Sequence, residues 1–174
     1  MTLLFRPMDA DGARTLIGWR YPPPYQIYQL DLSPAHIGEA VAFLTDPLNA
    51  YCRIEQADGS IEAFCCFGLD AQVDGGDYSD DALDLGMGVR PDLTGQGRGV
   101  IYATAVVQHA LESYAPTILR VTIAEFNQRA QRVWQKAGFN QVQEFRSATN
   151  GRGFVILTRD GVGEESGVRS QESE

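Results

Sequence analysis

The sequence predicts a single α+β domain, a seven-stranded, mixed but mostly antiparallel sheet carrying four helices. Three observations lead there. Apolar residues recur at every second position in some segments and at helical spacing in others, and the two patterns alternate along the chain. Asp58-Gly59 and Asn150-Gly151 each separate two strand-like runs, and such dipeptides join antiparallel strands. Pro91, Pro116 and Gly138 stop periodic segments where a strand or helix has to end.

In order, residues 3–8 read as a strand and 9–20 as a helix, with Asp9 as N-cap and Ala13, Leu16 and Ile17 on one face. The run Tyr21-Pro22-Pro23-Pro24-Tyr25 cannot be helix. Residues 34–45 form a second helix, with Ser33 as cap and Pro34 in its first turn. Residues 51–56 and 61–69 make a hairpin, and 83–90 a strand whose glycines, Gly86 and Gly88, suggest a bulge or a close approach by a ligand. A helix over 97–114 follows, with Val100, Ala103, Val107, Leu111 and Tyr114 in register, then a β-branched strand over 118–124. Asn127 caps a last helix whose apolar face is Ala130, Val133, Trp134 and Ala137. Residues 141–148 and 153–159 make the final hairpin.

The 174 residues suit one domain: 1–160 is the folded part, and 161–174, rich in Gly, Ser and Glu, is an acidic flexible tail. With 44% hydrophobic and 21% charged residues, folding requires neither disulfide nor metal. No apolar run nears the roughly 20 residues of a membrane span, and the N-terminus turns acidic too soon for a signal peptide. The net charge of -9 argues against a general nucleic-acid binder. Cys52, Cys65 and Cys66 lack metal-ligand spacing and read as reduced thiols of a cytoplasmic protein; only His36 and His109 are available for metal or triad chemistry, and no metal site is expected.

The charge is unevenly placed. Residues 54–89 hold nine acids and no Lys or Arg, with six aspartates from Asp70 to Asp84, whereas 90–136 hold six basic residues against three acids. The most informative segment lies where the two regions meet. After Val89-Arg90-Pro91-Asp92-Leu93, the turn Thr94-Gly95-Gln96-Gly97-Arg98-Gly99 leads into a helix. Alternating glycines bare successive main-chain N–H groups, and the helix start adds partial positive charge, so the turn forms a nest for a pyrophosphate. A tight turn needing positive φ would explain one such glycine, not three in five residues. A Walker loop is excluded because the sole lysine, Lys136, lies elsewhere, and the spacing is wrong for a dinucleotide fingerprint.

Residues 89–99 resemble the coenzyme-A signature of the GNAT N-acetyltransferase superfamily, Arg/Gln-x-x-Gly-x-Gly/Ala preceded by Val-x-Pro. Residues 127–139, NQRAQRVWQKAGF, resemble its second signature, Asn-x-x-Ala-x-x-x-Tyr-x-Lys-x-Gly-Phe. The element order of residues 3–159 is similar to that of the family, and the string from Asp84 to Gly95 looks like a bacterial subgroup.

The resemblance implies acetyl-coenzyme A as cofactor and direct transfer of acetyl to a primary amine, of a small molecule or a peptide, in a ternary complex. It implies that main-chain groups of Met87, Gly88 and Val89 pair with the pantetheine arm, that Thr94, Gly95, Gln96, Gly97, Arg98 and Gly99 hold the pyrophosphate, and that Asn127, Ala130 and Trp134 lie along the arm and the thioester. Thr94 stands where the signature has Arg or Gln, and Trp134 where many members carry a tyrosine that protonates the leaving thiolate. An indole N–H cannot replace that acid; Trp134 equally suits a core aromatic. Asp84 is nominated as base, with Asp80 and Asp81 as alternatives, and a main-chain N–H of Val89 meets the oxyanion. Trp19, Tyr21, Tyr25 and Tyr28 could wall the acceptor site, or simply pack a proline-stiffened loop. The acidic stretch favours a cationic amine. No nucleic acid or membrane partner is expected, and the chain is read as a monomer or homodimer. A coenzyme-A-binding sensor with weak or no catalysis is the competing reading, and an interaction domain using the acidic tail is a third.

Overall fold

The computed structural model describes residues 2–162. Among these residues a seven-stranded sheet carries four α-helices. The strands are β1 (Leu4–Pro7), β2 (Cys52–Glu55), β3 (Ile61–Phe67), β4 (Leu83–Val89), β5 (Ile118–Ala124), β6 (Asn140–Arg146) and β7 (Gly153–Asp160). The helices are α1 (Ala10–Ile17), α2 (Ile37–Thr45), α3 (Gly99–Tyr114) and α4 (Gln128–Lys136). The sheet order is β1-β2-β3-β4-β5-β7-β6, antiparallel except for β4 against β5. The expected fold class is therefore the observed one. None of the helices described is long and apolar enough to cross a membrane.

The sheet separates two apolar layers. On one face α3 and α4 bury Tyr102, Val106, Ala110 and Trp134 against Ala63, Cys65, Leu85 and Val121. On the other, α1 and α2 bury Ala13, Leu16, Ile17, Val41 and Leu44, with Phe64 of β3 packed against them. Strand alternation sends β3 side chains to both layers: Cys65 and Phe67 to the first, Phe64 to the second.

Several local expectations shift. Asp9 caps α1 by accepting from the Gly12 N–H at 2.9 Å, as its position predicts. The second helix begins later than expected: Pro34–His36 is a 3-10 turn, because the Ser33 hydroxyl meets His36 Nδ1 at 2.8 Å instead of capping a main-chain N–H. Residues Tyr25–Tyr28 after the proline run form a 3-10 turn. Gly161 and Val162, the first two residues of the expected 161–174 tail, donate to the carbonyls of Thr117 and Pro116; residues 163–174 of that tail lie outside the described residues.

The β4 glycines make no bulge. Pairing with β3 runs unbroken from Ala63↔Val89 to Phe67↔Leu85. A Cβ at Gly88 would lie 2.2 Å from the Phe64 ring, and one at Gly86 2.6 Å from Cys66 Sγ. Cross-strand side chains thus fill the space that the glycines leave. Gly88→Ala should destabilise the domain by about 1–3 kcal/mol through overpacking. Chemical denaturation should show part of that loss relieved in a Gly88→Ala/Phe64→Ala double variant, because the two sites share one volume.

Candidate active site

The site is a gap inside the sheet. β4 and β5 pair in parallel only through Leu83↔Leu119, Asp84↔Arg120 and Leu85↔Val121, and then part. The Arg90 N–H bonds the Glu62 carbonyl at 2.8 Å, and the Asp84 carbonyl accepts from Gly68, so even-numbered residues of β4 address β3. Alternation then turns the main-chain groups of Met87 and Val89 toward the gap. The Tyr21 hydroxyl reaches across and donates to the Val89 carbonyl at 2.9 Å.

The gap opens into a cavity of about 490 Å³. One side is β4 from Leu85 to Val89; the other is β5 at Val121, Thr122 and Ile123, with α4 residues Ala130, Val133 and Trp134. Thr94, Gly95, Gly97 and Gly99 form one lip, and Tyr21, Tyr25 and Tyr28 line the cavity as well, with the Arg129 guanidinium between Gly95 and the Tyr25 ring. Gly95 and Gly97 have φ of 76° and 77°, a backbone that L-residues disfavour. Gly99 serves differently: a Cβ there would lie 2.8 Å from Val133 Cγ2, so its absence lets α3 start close against α4.

Glu62 fixes this lip from below. Its carboxylate accepts from Arg98 and Tyr102, each at 2.9 Å, and from Gln56 at 2.8 Å. Burial pushes the Glu62 carboxyl up, but the Gln56 and Tyr102 bonds and the Arg98 guanidinium hold it below its ordinary value. Arg98 therefore turns its side chain to Glu62, and Gln96 donates to the Asp92 carbonyl at 2.6 Å. Neither side chain lines the cavity, so both can serve a ligand through main-chain groups. Thr94 does line it, with its hydroxyl donating to the Pro91 carbonyl at 2.8 Å.

Basic side chains missed in the sequence line the cavity as well: Arg129, Arg132 and Lys136 of α4. Their spacing of three and four residues puts them on one helical stripe, a signal legible beforehand. Among the described residues no Asp, Glu, His or Cys lines this cavity.

Four expected site residues need correction. Asp84 is buried, and its carboxylate takes Arg120 Nε at 2.7 Å, Arg120 Nη2 at 2.8 Å and Gln72 Nε2 at 2.8 Å. It lies on the closed side of the gap and does not line the cavity, so it is a structural ion pair and not an available base. Asp80 and Asp81 do not line the cavity either; the Asp80 carbonyl accepts from Arg120 at 3.3 Å. Trp19 is buried with α1 and α2, 6.0 Å from the Phe64 ring, and is not an acceptor wall. Of the six aspartates of the acidic stretch only Asp84 is buried; Asp70, Asp74, Asp77, Asp80 and Asp81 are exposed. Asp74 accepts from Ser147 and Thr149, Asp77 from Ser79, and Asp70 from Tyr51.

Asn127 accepts from the Ala130 N–H at 3.0 Å as the α4 cap, and its Nδ2 donates to the Tyr28 hydroxyl at 3.1 Å. Trp134 is both core and wall: its ring meets Phe139 edge-on at 5.0 Å, and it borders the cavity.

The model of the acetyltransferase (GNAT) domain matches residues 2–140. The chain belongs to the GNAT acetyltransferase family. Its fold is shared with AAC(6')-Ib in complex with ribostamycin and coenzyme A, at 13% identity and a TM-score of 0.72 over 92% of this chain and 94% of that one. A spermidine N-acetyltransferase SpeG chimera from Vibrio cholerae and hSSAT gives 12% identity and a TM-score of 0.70, over 92% and 96%. A GNAT-family acetyltransferase from Bacillus anthracis gives 12% and 0.69, over 91% and 94%. At these identities the likeness is one of fold. No curated protein sequence matches the chain.

The cofactor of the GNAT family is acetyl-coenzyme A, and the residues present fit it. The glycine lip offers an anion nest, the gap edge of β4 offers extended main-chain groups, and the α4 stripe offers cations for phosphates. In this acetyltransferase Asp84→Asn should cost about 3–5 kcal/mol, the penalty for stranding a buried partner charge. A lowered denaturation midpoint, with acetyl transfer per folded molecule retained at low temperature, is the expected result; a base would show the reverse.

Proposed function

We propose that the chain transfers acetyl from acetyl-coenzyme A to a primary amine within a ternary complex. The observation that carries this is the parting of β4 and β5 directly ahead of the glycine lip, with basic walls and, among the described residues, no carboxylate. When bound, acetyl-coenzyme A supplies an activated acyl group on a good leaving thiol. The residues of the chain do the rest. The main-chain N–H groups of residues 95–99 hold the pyrophosphate, with Arg129, Arg132 and Lys136 opposite its charge. The main-chain groups of Met87 and Val89 align the arm as an added strand, and the Val89 N–H stabilises the oxyanion.

The acceptor enters over Tyr25, Tyr28 and Phe126. The Tyr25 and Phe126 rings are 5.8 Å apart and those of Tyr28 and Phe126 6.3 Å apart, and beyond them lies a second cavity of about 310 Å³. Pro24, Ile27 and Phe126 make it apolar; Glu125 and Arg152 supply charge. We assign Glu125, which borders this cavity, to receive the cationic end of the amine. An alkyl ammonium near its ordinary value of about 10.4 must shed a proton before attack, and a carboxylate bordering the acceptor can take it through water.

Trp134 favours a second reading, a coenzyme-A-binding module that does not turn over, because the indole cannot serve as acid. Calorimetry with coenzyme A, paired with thiol release across an amine panel, separates the two. Binding with turnover supports the enzyme; binding without turnover supports the module; absence of binding removes both. Gly97→Glu places an anion in the nest and should weaken coenzyme A binding by at least tenfold, without comparable loss for a pantetheine fragment lacking the pyrophosphate.

A further inference from the structure

We propose that Tyr28 is the proton donor to the sulfur that leaves coenzyme A, taking from a different element the task that Trp134 cannot perform. This rests on the acetyltransferase reading.

The fold sets where the gap leads. The glycine lip opens on the face that carries α3 and α4. The far end of the gap opens on the other face, where β4 bears no side chain at Gly86 or Gly88 and the segment with Tyr21, Tyr25 and Tyr28 lies over it. A rod-like ligand anchored at the lip and threaded between the strands ends beneath these tyrosines.

The hydrogen bonds then discriminate among the three. The Tyr21 proton is committed to the Val89 carbonyl. Tyr25 holds the Arg129 guanidinium over its ring, 4.2 Å from the centroid, and among the described residues no donor orients its hydroxyl as Asn127 orients that of Tyr28. Tyr28 is placed to give a proton. Its oxygen accepts from Asn127 Nδ2, and the Asn127 amide is held in that sense because its Oδ1 already caps α4. With its oxygen accepting, the phenol keeps its own proton for a ligand. Burial raises the Tyr28 phenol above its ordinary value, so it stays protonated at neutral pH, while the bonds from Asn127 and the Ala124 main chain favour the phenolate once the proton leaves. Lys136, the other titratable donor bordering the cavity, lies about 13 Å along α4 from Asn127, the residue that holds Tyr28.

The step balances. The amine nitrogen bonds the acyl carbon and the carbon–sulfur bond breaks with its electron pair going to sulfur. Sulfur takes the Tyr28 proton. The proton that the amine nitrogen loses passes through water and restores the phenol, so no external acid is consumed.

The test compares the full-length chain with Tyr28→Phe, using coenzyme A itself as probe. The thiolate absorbance of bound coenzyme A reports its acidity with no turnover required. A donor at sulfur makes the wild-type complex hold about tenfold more thiolate at a given pH than Tyr28→Phe, one unit of acidity, with equal affinity of both proteins for desulfo-coenzyme A. With an amine acceptor, kcat should fall about 10²-fold at nearly unchanged KM, and the deficit should shrink for the acetyl selenoester, whose leaving group needs no proton. Fluorinated tyrosine at position 28 keeps the shape and should move the alkaline limb of kcat to lower pH, which a packing role would not do. Equal thiol acidity and equal kcat in Tyr28→Phe would overturn the proposal and leave the acetyltransferase reading intact. A wild type that binds coenzyme A and acetylates no amine removes that reading, and the thiol titration still decides Tyr28.

Discussion

The bidentate Asp84–Arg120 pair is the constraint on which the site depends. The two residues are register partners on β4 and β5, one step before the last pairing between those strands. Parallel pairing over three residues is weak by itself, yet here it must hold one end of a gap whose other end stays open. A buried guanidinium–carboxylate fork holds registry because its two bonds fit only one alignment of the strands. The loop before β4 seals the pair: Gln72 bonds Asp84, the Asp80 carbonyl accepts from Arg120, and the Tyr78 ring lies 4.8 Å beneath the guanidinium. Desolvation of both charges is thereby offset, and removing either partner would leave the other stranded.

Glu62 performs the matching task on the opposite edge of β4. It gathers Arg98, Tyr102 and Gln56, and its carbonyl receives the Arg90 N–H, so the end of β4 and the start of α3 are tied to a single residue of β3. A helix N-terminus binds an anion well only when its N–H groups are held still. Buried carboxylates thus support the site without lining it.

Much of this was legible in the sequence. Every α-helix and strand lies within a few residues of its expected place, since turn chemistry at Asp58-Gly59 and Asn150-Gly151 and helical spacing in α3 and α4 are local signals. The glycine lip was legible for the same reason, as a short contiguous motif. Asp84 was misread because its partner Arg120 lies 36 residues away, and no local pattern announces a cross-strand ion pair. Trp19 was misread because aromatic and proline content cannot say which ring turns inward; the contact with Phe64 decides it. The link from Asn127 to Tyr28 spans 99 residues and exists only once the sheet has formed.

Net charge was the least informative quantity, and the structure explains why. The chain carries -9, but of the six aspartates from Asp70 to Asp84 only Asp84 is buried against a guanidinium; Asp70, Asp74 and Asp77 accept from hydroxyls at the surface, and none of the six lines the cavity. The cations of α4 face the cavity. Inside a narrow cleft the potential follows the charges that line it, because bulk solvent screens distant ones within about 10 Å. An acidic protein can therefore present a basic cavity to a polyphosphate. The same separation keeps carboxylates off the basic walls of this cavity, while Glu125 borders the second cavity beyond Phe126.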